Sequence, residues 1–468
     1  MTKTIKAFAV SLFILMAVWV SFGVSKHAYF AGTYWVGTGS GSLTISASYL
    51  AGSTIIIKSG TYTGITVTGE TSIKIMNDSA GPIIFNGFGT GWGIQNCNYV
   101  HITRNPSPIV STPYGFIHEN NTYRGDALSG SNNYDTIEYN SYIGLGDNSI
   151  TYGGSATTWD GTFDATVQSY GLSFRNLLFD STDGSCMELA VGSLSTGAVT
   201  GLLSGVEIAY CQFRWCDPGD LVFCQPLNAY NIHDDQFYNC NYTNNDDNGL
   251  FHITGSGSIH NVLAQNCQGH MIRMWTLAFG ATPYTDSAYN CIYIGSRKYS
   301  MFEWQSTLGD NIPAAPNTTY CNVTVVNNIG GDLNYQQNTS FDAALVDDYQ
   351  MNASSVEKVY NNLLFNTYTS NGAAGRMFQF GPNPAVDSAK DWYYSNSAGA
   401  GFDTVALYLL SGSPAYHAGI SGQLLSTTDY HGTAWITGTP SIGAVAGFAP
   451  VPPPTPGSYF LHKRGHKY

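Results

Sequence analysis

Short apolar runs, rather than helical stripes, carry the hydrophobic pattern of this chain. One six-residue phrase with apolar ends recurs: Ile208 with Phe213, Ile232 with Phe237, and Ile259 with Ala264. Looser copies join Phe174 to Phe179, Ala288 to Tyr293 and Val359 to Leu364. Each is followed by a Gly/Asp/Asn-rich loop and a second short run. Those second runs start at Cys186, Leu221, Leu250, Met271, Met301, Asp332 and Met377, in steps of 21 to 45 residues. A repeat of that size with two or three strands per unit predicts a solenoid, and variable steps are tolerated because each coil touches only its neighbours.

Side chains alternate along a strand, so each second run has an inward and an outward set. Met187, Val222, Phe251, Ile272, Phe302, Leu333 and Phe378 form one predicted inward column. Leu189, Cys224, Ile253, Met274, Trp304, Tyr335 and Phe380 form another. Between them lies a predicted outward, solvent-lining column: Glu188, Phe223, His252, Arg273, Glu303, Asn334 and Gln379. The N-terminal runs 54–58, 65–67, 72–75, 82–85 and 96–102 follow the same scheme. The expected fold is all-β: a single-stranded parallel β-helix of about ten coils over residues 26–448. Residues 105–170 read as an irregular insertion or lid, 381–448 as a closing segment, and 449–468 as a proline-rich linker with a basic tail.

Composition narrows the alternatives. Only 10 % of the 468 residues are charged, against roughly 25 % in ordinary soluble domains. Fifty-two glycines and 32 tyrosines fill the space. Such a mix forms helices poorly, which disfavours bundles, coiled coils and doubly wound α/β folds. The formal charge of −13 argues against binding nucleic-acid phosphates. Lys3 and Lys6 precede an apolar run, and Gly23-Val24-Ser25 offers a small-residue cleavage site. Residues 1–25 therefore read as a signal peptide of a secreted, periplasmic or cell-surface protein, with an uncleaved membrane anchor as the rival reading. Nine cysteines follow the leader, and Cys216, Cys240 and Cys267 occupy one place in successive repeats. That spacing favours a ladder of stacked thiols over disulfide bridges.

Over residues 30–448 the pattern resembles the right-handed parallel β-helix, or pectin-lyase-like, family. Gly60-Thr61-Tyr62-Thr63-Gly64 is similar to the family's opening turn, and residues 413–419 with 441–444 to a closing segment of its secreted bacterial members. The loops before the second runs carry Asp217 and Asp220, then Asp246-Asp247, then Gly269-His270, then Arg297-Lys298. This order resembles the polygalacturonase type of glycoside hydrolase. The resemblance implies catalytic roles for Asp220, Asp246, Asp247 and His270, and a basic motif at Arg297 or Lys298. The sequence departs from that pattern in lacking Asn-Thr before the first Asp and in having Met271 after the histidine.

The implied chemistry suits these residue types. Inverting hydrolysis needs a carboxylic acid to protonate the leaving oxygen and a carboxylate to activate water, about 6.5–9.5 Å apart. His270 would tune the carboxylates, and Arg or Lys would hold a uronate. Phe223, His252, Arg273, Trp275 and Glu303 complete the expected binding face for a polysaccharide. No resident cofactor is expected for hydrolysis. A lyase reading uses Arg273 or Lys298 as base and a Ca²⁺ ion held by Asp217, Asp220, Asp246 and Asp247. A third reading is a non-catalytic, glycan-binding or structural solenoid. Asp234-Asp235 fall at an inter-strand turn and read as structural, and His233 with His260 read as a stacked ladder.

Overall fold

The structure is a computed structural model. It describes residues 31–448 apart from 47–48, 87–90, 108–111, 120–124, 145–149, 153–168, 183–184, 191–202, 218–219, 242–248, 276–283, 306–320, 337–342, 349–354, 369–375 and 381–384. The leader 1–25 and the tail 449–468 lie outside the described residues.

Each coil is built from short strands meeting at sharp corners, and the corners have one chemical recipe. A residue in the left-handed region ends a strand, and the residue after it turns inward. Cysteine is used repeatedly at that inward place. Cys97, Cys211, Cys216, Cys240, Cys267 and Cys291 each follow a left-handed residue: Asn96, Tyr210, Trp215, Asn239, Asn266 and Asn290. Each buried thiol points at the carbonyl two residues earlier, as Cys211 Sγ does at Ala209 O (3.5 Å) and Cys291 Sγ at Tyr289 O (3.4 Å). The thiol is small enough for the corner and gives the bent carbonyl a weak donor.

Stacked coils make three parallel walls. The first wall runs through Thr33–Val36, Thr54–Ile57, Lys74–Asn77, His101–Thr103, Thr136–Glu138, Ser173–Arg175 and Glu207–Ala209. It continues through the C-terminal halves of Val222–His233 and Gly249–His260, then Tyr284–Tyr289, Cys321–Val326, Val356–Tyr360 and Ala385–Ala389. These strands form thirteen rungs, more than the ten coils the repeat spacing suggested. Within 105–170, Phe116–Glu119, Asp126–Ser129, Thr136–Glu138, Asn140–Ile143 and Ile150–Tyr152 take regular places in the walls. All described wall pairings are parallel. No helix among the described residues is long and apolar enough to cross a membrane.

The interior is filled by side-chain ladders. Along the second wall Phe85, His118, Tyr142, Phe179, Phe213 and Phe237 stack ring on ring at 4.3–4.9 Å. Offset contacts of this kind contribute beyond simple burial. At the corner between the second and third walls, Cys216, Cys240 and Cys267 stand in register, and the Cys240 amide donates to Cys267 Sγ at 3.4 Å. All seven cysteines whose side chains are described are unbridged and buried, so the thiol ladder is present. Burial pushes the Cys97 thiol up to about 11 and Cys291 to about 12. These thiols are therefore expected to ignore an aqueous chromogenic disulfide reagent in the native protein and to react on unfolding. Rapid native reaction of any of them, followed by absorbance and peptide mapping, would contradict that packing.

Residues 397–448 do not simply cap the last coil. They run back along the outside of the second wall, covering the outward side chains Leu263, Ile292, Ile329 and Leu363 with Phe402, Leu409, Ala415, Ile442 and Val445. Corner asparagines pin this strap. Asn290 donates to Thr428 O, Asn327 to Gly443 O, and Asn361 to Ile420 O while accepting from Ile420 N–H.

Candidate functional site

On the third wall the register places Glu188, Phe223, His252, Arg273 and Glu303 in one column on successive rungs. The next rung holds Asp347, not Asn334. Asp332 and Asn334 are both left-handed (φ 52), so residues 332–335 form a corner that no strand can use. Leu333 and Tyr335 accordingly leave the predicted inward columns, and Val346 takes the place above Phe302. The sequence signal for this rung was Val346-Asp347, an apolar residue followed by an acid as in Phe302-Glu303.

The column is not the open row that alternation predicted. His252 is 1 % and Glu303 3 % exposed, and Arg273 is half-buried. Alternation fixes which way a side chain leaves its wall, but not what else packs over it. The residues answer burial by pairing. Asp220 lies just before the strand Val222–His233. Its Oδ2 is 2.6 Å from His252 Nδ1, and its Oδ1 accepts from the Gly249 amide at 2.8 Å. Burial alone would raise the Asp220 carboxyl. The charge and hydrogen bond of His252, the Gly249 amide and the Arg273 charge outweigh it and hold the group below the usual carboxylate value.

A second pairing sits above. Glu303 Oε1 accepts from Arg273 Nε at 2.9 Å, and Glu303 Oε2 lies 3.0 Å from His270 Nε2. His270 Nδ1 faces Ser300 O at 3.1 Å, with the Tyr299 ring 5.0 Å away. Gly249 lies between the two pairings. A Cβ there would come within 2.9 Å of the Arg273 Cβ, so the absent side chain lets the Arg273 stem settle. Asp220 and Glu303 stand three rungs apart, about 14 Å between backbones.

The remaining expected residues divide. Arg297 reaches the Gln336 side-chain carbonyl at 2.9 and 2.7 Å with the amide oriented to accept. Lys298 is buried, and its carbonyl accepts from Ser296 Oγ. Both lie on the approach to the third wall, in the coil above His270. Asp246 and Asp247 are outside the described residues. The backbones of Phe223 and Trp275 are placed in their strands, but their side chains are not described. The described residues fit a Ca²⁺ ion badly: both Asp220 oxygens are engaged, and no group of three or more His, Cys, Asp or Glu among them is placed to hold a metal.

The first wall carries a charge network in which Arg175 and Glu207 were not singled out by the repeat analysis. Arg175 binds Glu207 through two nitrogens at 2.6 Å each, and His233 Nδ1 lies 2.7 Å from Asp234 Oδ2. His233 and His260 stack at 5.0 Å, the ladder expected of them. Asp234 is left-handed and Asp235 buried, as a corner requires.

No family model matches the chain, and no curated protein matches it in sequence. Several solved structures are similar to it, three of them as follows. The crystal structure of pectate lyase Pel9A has 11 % identity, covers 90 % of this chain and 98 % of its own, and gives a TM-score of 0.35. The catalytic domain of a GH87 α-1,3-glucanase in complex with tetrasaccharides has 14 % identity, 74 % and 56 % coverage, and a TM-score of 0.34. A PL6 family polysaccharide lyase from Pseudopedobacter saltans has 8 % identity, 76 % and 93 % coverage, and a TM-score of 0.35. The resemblance is remote and places the chain in no specific family.

Proposed function

We propose that this chain acts on a polysaccharide, cleaving glycosidic bonds along the third wall around Asp220 and His252. The observation that carries the reading is the 2.6 Å contact between Asp220 Oδ2 and His252 Nδ1. A carboxylate held anionic on one imidazole nitrogen orients the ring for proton transfer at the other. Buried ion pairs are poor stabilisers, because desolvation cancels much of their attraction. A run of them in one column is better explained by chemistry than by stability.

The preferred reaction is hydrolysis on the two-carboxylate plan, with the acidic residues drawn from Asp220, Asp246 and Asp247. Asp220 fills the role of the anionic member, since its carboxyl is held below the usual value. Arg273, Arg297 and Lys298 would meet acidic or hydroxyl groups on the sugar. A lyase reading has one specific support: Asp220 is held below the usual carboxylate value and Glu303 is paired with the Arg273 cation, so neither is a ready proton donor to a leaving oxygen.

Incubation with a panel of polysaccharides separates these readings. Hydrolysis releases new reducing ends without ultraviolet absorbance, whereas elimination creates an absorbing double bond with each new end. Binding without either product would overturn the enzymatic reading and leave a glycan-binding solenoid.

A further inference from the structure

The corner between the third and first walls carries a separate feature. Its left-handed positions in successive coils are Gly52, Ser72, Tyr99, Tyr134, Gly171 and Gly205. Backbone bonds tie one coil to the next there, from Gly52 N–H to Ser72 O, Ser72 N–H to Asn98 O, Tyr99 N–H to Asn133 O, and Tyr134 N–H to Tyr170 O. A left-handed backbone costs an ordinary L-residue about 1–2 kcal/mol, and glycine escapes this. Two tyrosines nevertheless sit in the middle of this column.

The two residues are 56 % and 51 % exposed, and their rings stack at 4.8 Å with 11° between planes. The two outer faces of the stack differ. Tyr134 lies against Gly171, where an added Cβ would come within 2.4 Å of the ring. Tyr99 looks the other way, across Ser72 and Gly52. Gly52 has only the Ala31 Cβ near its own Cβ position, at 3.9 Å. The two rungs on the side of Tyr99 away from Tyr134, about 10 Å along the axis, thus carry only a serine and a glycine at this corner. The chain neighbours of Ser72 and Tyr99 at this corner are polar and uncharged: Thr71, Gln95, Asn96 and Asn98, with Asn133 Nδ2 donating to Asn98 Oδ1 at 2.9 Å and Ser131 N–H to Asn96 Oδ1 at 3.0 Å.

We infer that Tyr99 is a stacking platform for one pyranose ring of a neutral stretch of glycan. Sugar C–H groups would lie on the open ring face while neighbouring amides and hydroxyls meet the sugar hydroxyls. The inference rests on the glycan-active reading above. The platform lies five rungs, about 24 Å, from His252 along the axis. It would therefore hold a distant part of a long chain and raise the effective concentration of bonds at the third wall.

The test is retardation of the full chain in gels containing a soluble polysaccharide that the protein binds. Tyr99→Ala is expected to weaken retention about 5- to 10-fold. Tyr210→Ala, which removes an equally exposed left-handed tyrosine from another corner, is expected to leave retention unchanged and serves as the control. Equal retention of wild type and Tyr99→Ala, or equal losses in both variants, would overturn the platform. A wild-type chain retained by no glycan would instead overturn the glycan-active reading itself.

Discussion

Asparagine in place of His252 is expected to slow glycan cleavage by about 10²- to 10⁴-fold while leaving the fold intact. The choice of variant matters. Alanine would strand Asp220 as a buried, unpaired charge and cost several kcal/mol through that alone. The asparagine Nδ2 falls near the place of the histidine Nδ1 and can still donate to Asp220 Oδ2. It cannot carry a proton between substrate and solvent. The expected result is a large loss in kcat, little change in KM, and an unfolding temperature within a few degrees of wild type. Unchanged kcat in a folded His252→Asn protein would remove the imidazole from the chemistry and return Asp220–His252 to a structural pair.

The second large effect concerns stability and pH. Three inward corner carboxylates, Asp135, Asp235 and Asp391, share one geometry. Each accepts a backbone N–H at Oδ1, from Val100, Cys211 and Asn362 respectively, and each leaves Oδ2 buried without a hydrogen-bond partner. Burial pushes Asp135 and Asp391 up to about 7 and Asp235 to about 8. The folded state thus keeps protons that the unfolded state releases near pH 3.8. Stability is greatest below that value and falls as pH rises through the folded values. His118 and His260, lowered by burial to about 3 and about 4, act with the opposite sign, but only up to the unfolded value of 6.5. Above pH 6.5 the two histidines no longer oppose the downward slope, and His233, raised by its bond to Asp234, adds to it.

The corner that holds Asp235 and Asp391 shows the remedy in coils between them. Asn328 and Asn362 also accept a backbone N–H at Oδ1, but their Nδ2 groups donate to Ala288 O and Val325 O at 3.0 Å. In Asp235→Asn the equivalent acceptor is Ile208 O. The variant is expected to gain about 1–3 kcal/mol at pH 8 and much less at pH 5, measured by chemical unfolding at both. An equal gain at the two values, or a loss at pH 8, would show that Asp235 is not the protonated corner described.

The fold was readable because its unit is short and repeated. Ile208, Ile232 and Ile259 align as the repeat phrase requires, and their inward partners fill the core. Residues 332–335 misled because their apolar spacing imitates a strand, whereas two left-handed residues bend them into a corner. The stretch 116–152 hid because its strands are only three or four residues long, too short for periodicity to register. The site was legible as a column and illegible as a surface. His252, Arg273 and Glu303 stand on consecutive rungs as spacing dictates. That Asp220 turns to His252, and that Glu303 gathers both Arg273 and His270, depends on rotamers and covering residues that no period encodes.

The strap changes how the two ends of the tube come apart. In a stack of coils, each layer senses only the layers beside it, so loosening at one end spreads a step at a time. Residues 397–448 break that locality. By touching Leu263, Ile292, Ile329 and Leu363 on four consecutive layers, they splint the C-terminal third like a batten nailed across planks. Those layers must let go together or not at all, while the early layers around Thr33–Val36 can part singly.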